Sequence, residues 1–192
     1  MNELSIDIPY YNLFCGSGTA IAVLLLWFRT EKSAPQLTSS LPTMLLVVLG
    51  FAFIGSVGFT WVVVPESAFR LPIAGFTFLG GVIGGALGLV GYCLIARLPI
   101  LEIVDLFAAP LAIGHGIGRM GCFFGGCCYG CASEGFWQRL GFEMIPVQLM
   151  ECVACISIGM VLLALPRWSG RKHGDQIALY LFLYGFVRIV LE

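Results

Sequence analysis

Few side chains in this sequence can do chemistry, and most of them stand inside apolar runs. Arg119 lies in GHGIGRMGCFFGG, with Gly114, Gly116, Gly118 and Gly121 around it in a stretch that is apolar apart from His115. A guanidinium among backbone N–H groups that glycine leaves accessible is an anion site, and phosphate is the anion it suits best. A buried arginine satisfying carbonyls at a helix break is the structural alternative. Glu151 follows in PVQLMEC, and Arg188 and Glu192 lie four apart in YGFVRIVLE, on one helical face. Pairing of those two with each other, or a reach to the membrane interface, explains them equally well. Glu102 and Asp105, three apart, also share a face and read as a boundary pair just after Arg97.

Four of the eight cysteines crowd into GCFFGGCCYGC as Cys122, Cys127, Cys128 and Cys131. Cys128-x2-Cys131 has the spacing of a zinc knuckle, and Cys152 and Cys155 repeat it. The second pair lies in an apolar run, where thiols pack as small hydrophobes. Loop packing is therefore the first reading of the block, then a disulfide or redox pair, then a metal site, then a nucleophilic thiol. No metal and no cofactor is expected.

The elements that must position these residues are membrane helices. The chain has 192 residues, 59% apolar and 11% charged, with a mean hydropathy of +0.96; ordinary soluble domains are roughly a quarter charged. That composition excludes a solvated globular enzyme and a disordered chain. A net charge of −1 leaves no basic face for nucleic acid. Spans of the ~20 apolar residues that a bilayer demands fall near 10–28, 41–64, 71–96, 99–117, 145–165 and 175–191. The fold class is thus all-α, a polytopic integral membrane bundle of about six transmembrane helices, in one transmembrane domain over 1–192.

The head MNELSIDIPYY carries acids and no Lys or Arg, which argues for an uncleaved first span rather than a signal peptide. Arg29, Lys32, Arg97, Arg167, Arg171 and Lys172 lie in the odd connections. By the positive-inside rule those face the cytoplasm, and the N-terminus, 65–70 and 118–144 face outside. The third span, GFTFLGGVIGGALGLVGY, carries small residues on more than one face, and helix packing is the reading for most of its glycines. No Gly-Lys-Ser/Thr follows them, so they form no phosphate loop.

GHGIGRMGCFFGGCCYG resembles the signature of the prolipoprotein diacylglyceryl transferases, a Gly-Arg-x-Gly-Asn-Phe-x-Asn-Gly-Glu-x-x-Gly run. It is more similar still to a paralogous branch with Gly-Cys-Phe and Gly-Cys-Cys-Tyr-Gly there. LGGVIGG, DLFAAPLAIGHGIGR, IPVQLMEC and YGFVRIVLE resemble further family segments in the same order and spacing. The resemblance implies a seven-span bacterial inner-membrane enzyme, one span more than read here. Its reaction moves diacylglyceryl from phosphatidylglycerol to the thiol of a lipobox cysteine in a preprolipoprotein, for lipoprotein biosynthesis.

The partners it implies are phosphatidylglycerol, the preprolipoprotein and membrane lipids. Carried over by position, Arg119 holds the phosphate and Arg188 is the second arginine, with Tyr184 and Glu192 on its face. Gln148 and Glu151 line the site, Gly118, Gly121, Gly126 and Gly130 shape the loop, and His115 is the nearby base. The sequence departs from the pattern at Leu79 for the family histidine, Cys122 and Gly125 for its asparagines, Cys127 for its glutamate, Ile145 for His/Tyr, and Met150 for a tyrosine. Those departures leave two alternatives open: a divergent or silent paralog that binds phospholipid, and a thiol-redox or metal protein built on Cys122–Cys131.

Overall fold

Backbone polar groups in lipid have no water to bond, so apolar runs of this length close their hydrogen bonds internally as helices. The computed structural model describes residues 9–63, 77–132, 134–165 and 173–191. They form α1 (Pro9–Ser33), α2 (Leu41–Val63), α3 (Phe78–Ile95), α4 (Ile100–Phe124), the single turn α5 (Phe136–Arg139), α6 (Val147–Ala164) and α7 (Asp175–Leu191), with a 3-10 turn at Pro35–Leu37. Among the described residues, α1, α2, α3, α4 and α6 are long and apolar enough to cross a bilayer. The chain is an all-α, polytopic membrane bundle. The remaining expected span is α7, with 17 described residues, one fewer than α3 and α6. Arg70, Arg167, Arg171, Lys172 and Glu192, and the expected third-span start at 71–76, lie outside the described residues.

The fourth span is longer than its glycines suggest. It was expected over 99–117, with Arg119 in the following loop, but α4 continues to Phe124 and Arg119 lies within it. The connection is correspondingly short, 125–146, and holds α5 and an isolated antiparallel bridge between Ala132 and Met144.

The residues divide into two compact units, Thr30–Ile103 in one and the remainder in the other. In the first, α2 and α3 pack through glycine. A Cβ on Gly84 would run into the Phe51 carbonyl oxygen, and one on Gly88 would lie 2.8 Å from Phe51 Cβ. Without a hydrophobic force between helices in lipid, close backbone approach of this kind supplies the packing. Ser56 Oγ donates to the Thr77 carbonyl at 3.0 Å, and the Thr60 and Thr77 hydroxyls meet at 2.7 Å.

In the second unit, Ala108, Ala109 and Ala112 of α4 pack with Ile158 and Leu162 of α6 and Tyr180 of α7. The α4 glycines extend that contact. A Cβ on Gly116 would lie 2.9 Å from the Cys152 carbonyl oxygen, and one on Gly114 2.9 Å from the Gly18 carbonyl oxygen of α1. Arg29 of α1 donates from its guanidinium to Gln176 Oε1 on α7.

Asp105, near the start of α4, ties that helix to α7. It is buried, and its carboxylate accepts from the backbone N–H groups of Gly174, Gln176 and Ile177 at 2.8, 3.1 and 3.0 Å. Those are donors that the first turn of α7 leaves without helical partners, and a carboxylate there also meets the positive end of the helix dipole. Asp105→Ala is expected to destabilise the docking of α7 by about 1–3 kcal/mol, read as faster hydrogen exchange at the start of α7 and a lower unfolding midpoint in detergent.

Candidate functional site

Helical spacing lines up the ionisable residues before any tertiary contact forms. His115 and Arg119 lie one turn apart on α4; Gln148, Glu151 and Cys155 fall at three- and four-residue steps on α6; Gln176, Tyr180, Tyr184 and Arg188 run at four-residue steps along α7. Packing of the three helices brings these faces together on Glu151, which is 1% exposed.

Its carboxylate is held from both sides. Arg119 Nε lies 2.7 Å from Oε2, and Arg119 Nη2 donates to Oε1 at 3.3 Å. Arg188 Nη1 donates to Oε1 at 2.9 Å, and the Tyr184 hydroxyl reaches the same oxygen at 3.5 Å. A carboxylate this buried is costly unless it is paired and hydrogen-bonded. Two guanidiniums to one carboxylate leave the three side chains with a net +1. Arg188 is the more open of the two, 34% exposed against 16% for Arg119. Such an arrangement suits one anion presented from the open side, with Glu151 fixing the two forks.

His115 sits deeper on the same α4 face. Its Nδ1 lies 3.3 Å from the Tyr180 hydroxyl and 3.7 Å from Cys155 Sγ, and its ring meets Tyr184 edge-on at 4.9 Å between centroids. Tyr180 and Tyr184 stack at 6.0 Å.

The cysteine-rich segment begins where α4 ends. Gly126 takes the left-handed conformation at φ 67°, its N–H donates to the Phe123 carbonyl at 3.2 Å, and the Cys127 N–H donates to the Cys122 carbonyl at 3.1 Å. These are the two bonds of a Schellman C-cap. Gln148 Nε2 then donates to the Cys127 carbonyl at 2.5 Å, joining the cap to α6. Gly130 and Ile145 are also tied, the Gly130 N–H donating to the Ile145 carbonyl at 3.0 Å. All eight cysteines are free thiols. Burial, with Cys122 and Cys128 alongside, pushes the Cys127 thiol up to about 12.

Comparison with known proteins bears on what this site serves. The sequence model of a family described as prolipoprotein diacylglyceryl transferase matches residues 1–192. The chain belongs to the prolipoprotein diacylglyceryl transferase family. Its similarity to individual members is distant. Phosphatidylglycerol–prolipoprotein diacylglyceryl transferase 2 of Clostridium perfringens is 28% identical over 205 residues, covering 97% of this chain and 78% of that protein. The Clostridium tetani transferase is 29% identical over 127 residues, covering 62% of this chain and 51% of that protein. The Rickettsia rickettsii transferase is 26% identical over 206 residues, covering 96% and 78%.

In this member of the transferase family, the structure brings Arg119, Glu151, Tyr184 and Arg188 into one cluster, with His115 against Tyr184 and Gln148 one turn before Glu151. Glu192 lies outside the described residues. The glycines differ from expectation. Gly114, Gly116, Gly118 and Gly121 lie in continuous helix, so they offer no cradle of accessible N–H groups around Arg119. Gly114, Gly116 and Gly121 instead admit neighbouring helices, Gly121 facing the Tyr11 carbonyl oxygen, while a Cβ on Gly118 would meet nothing within 4 Å. In the connection, Gly126 takes a left-handed φ and Gly130 closely approaches Val147. Tyr180 and Cys155, the neighbours of His115, were not among the expected site residues. The four-residue step back from Tyr184 to Tyr180, and forward from Glu151 to Cys155, is the signal that finds them.

Proposed function

We propose that this chain transfers a diacylglyceryl group from phosphatidylglycerol to the thiol of a lipobox cysteine in a preprolipoprotein. We place it in the branch of the family that carries Gly-Cys-Phe and Gly-Cys-Cys-Tyr-Gly, here Gly121–Phe123 and Gly126–Gly130. The observation that carries the reading is the pair of arginines, from two helices, fixed on one buried glutamate.

The incoming sulfur bonds to the terminal glyceryl carbon, the carbon–oxygen bond to the phosphate breaks, and its electron pair leaves on the phosphate oxygen. The headgroup begins as a monoanion and departs as glycerol phosphate with a second charge developing. Cations that are already positioned therefore bind the transition state better than the ground state. Arg119 and Arg188 have that role, and Glu151 and Tyr184 hold their orientation. Gln148 lines the site from α6, and Glu192, four residues past Arg188, continues that face in the sequence. The thiol must lose its proton to become the nucleophile, and His115 is the base in this reading. The 125–146 connection and the N-terminus face outside, where the acceptor is presented, in a bacterial inner membrane.

A second reading is favoured by Leu79 and Cys127, which stand at the family's histidine and glutamate positions: the chain binds the phospholipid without transferring it. One experiment separates them. The purified chain, reconstituted in phosphatidylglycerol vesicles with a lipobox peptide, is expected to produce the diacylglyceryl thioether and release glycerol phosphate. His115→Gln is expected to lower that rate by about 10²–10⁴-fold, the range of a general base, with phospholipid binding retained. Binding of phosphatidylglycerol with no thioether formed would establish the second reading instead.

A further inference from the structure

The Schellman cap that ends α4 has an unusual composition. In that motif the side chains three residues before the cap end and two residues after it come together, as a rule in an apolar contact. Here those two positions are Cys122 and Cys127, and the Cys127 Sγ lies 3.6 Å from the Cys122 carbonyl oxygen. The next residue, Cys128, takes φ 62°, left-handed for a side chain that gains nothing from it. The effect of that costly turn is to bring a third thiol to the same place. The Sγ atoms of Cys122, Cys127 and Cys128 all lie within 4.8 Å of one another.

We propose that Cys122, Cys127 and Cys128 form a binding site for one soft, thiophilic cation, Zn(II) or Cu(I). Thiolate is the ligand that both ions prefer. Binding forms three sulfur–metal bonds and releases three thiol protons to solvent, with no change of oxidation state. Cys128 is exposed, so the ion has an entry path. Gln148 holds the site from behind through the Cys127 carbonyl, and so orients one ligand as outer-shell partners do. A disulfide would use two of these sulfurs and strand the third; a cation uses all three. The knuckle spacing Cys128-x2-Cys131 gives way to this grouping, since Cys131 is not in the cluster. The inference stands apart from the transfer reaction and holds whether or not the chain is a transferase.

The test uses the full chain purified in detergent under anaerobic, reducing conditions. Zn²⁺ is titrated against a chromophoric chelator and, in a second arm, Cu⁺ against a Cu(I)-selective chelator. One ion bound per chain in either arm is expected, and the tighter arm names the ion. Cys122→Ser, Cys127→Ser and Cys128→Ser each weaken binding at least about 10-fold, and Cys131→Ser and Cys93→Ser leave it unchanged. In the unsubstituted chain, which does not depend on any variant folding, the bound ion protects Cys122, Cys127 and Cys128 from alkylation, and a chelator removes the protection. Equal metal retention by the triple serine variant, no protection by either ion, an equal loss on Cys131→Ser, or a disulfide within 122–128 in chain taken from native membranes would each overturn the proposal.

Discussion

Arg119→Ala is expected to lower diacylglyceryl transfer in phosphatidylglycerol vesicles by at least about 10²–10³-fold, the scale for losing one positioned donor to a developing charge. The chain should still insert and fold, because Arg188 stays on Glu151 at 2.9 Å and the buried carboxylate keeps one cation. Arg119→Lys should recover little of the loss. The arginine engages Glu151 through Nε and Nη2 together, and an ammonium cannot reproduce that fork while also facing a phosphate. The effect should fall on the chemical step more than on the lipid's apparent affinity, since the acyl chains supply most of the ground-state binding. Normal transfer by Arg119→Ala would remove the basis for the proposed phosphate site.

The charge pattern made these residues visible and left their pairing hidden. Arg119, Glu151 and Arg188 stand out in sequence because ionisable groups inside apolar runs are costly, about 3 kcal/mol each at mid-bilayer on insertion scales. The four-residue step from Tyr184 to Arg188 was equally legible as one face of a helix. That Arg119 and Arg188 share one carboxylate was not, because the partners are 32 and 37 residues from Glu151 and nothing local ties them.

The partners of Asp105 are hidden in the sequence for a related reason. They are backbone N–H groups about 70 residues away, and these leave no mark in side-chain sequence. The glycines of α4 misled in the opposite direction. Each costs about 1 kcal/mol in an isolated helix relative to alanine, so GHGIGRMG reads as a break. Helix packing at Gly114 and Gly116, and the need to close backbone hydrogen bonds internally in lipid, keep the helix intact to Phe124.

Glu151→Gln tests the cluster's architecture separately from its chemistry. The amide preserves the shape and leaves two guanidiniums beside a neutral group, one of them 16% exposed. Breaking a buried pair from one side typically costs about 3–5 kcal/mol. A loss toward the lower end of that range is expected, since Arg188 at 34% exposure can draw on solvent. Unfolding in detergent, followed by denaturant titration, measures it. The double variant Glu151→Gln/Arg188→Gln decides the cause. If Glu151 stabilises by neutralising the arginines, removing Arg188 as well relieves the repulsion, and the double variant is more stable than the single losses predict by about 1–2 kcal/mol. Simple additivity would mean that Glu151 supports the fold by packing alone. Transfer should stay low in both variants, because Arg119 is no longer held in its orientation and the double variant also lacks Arg188.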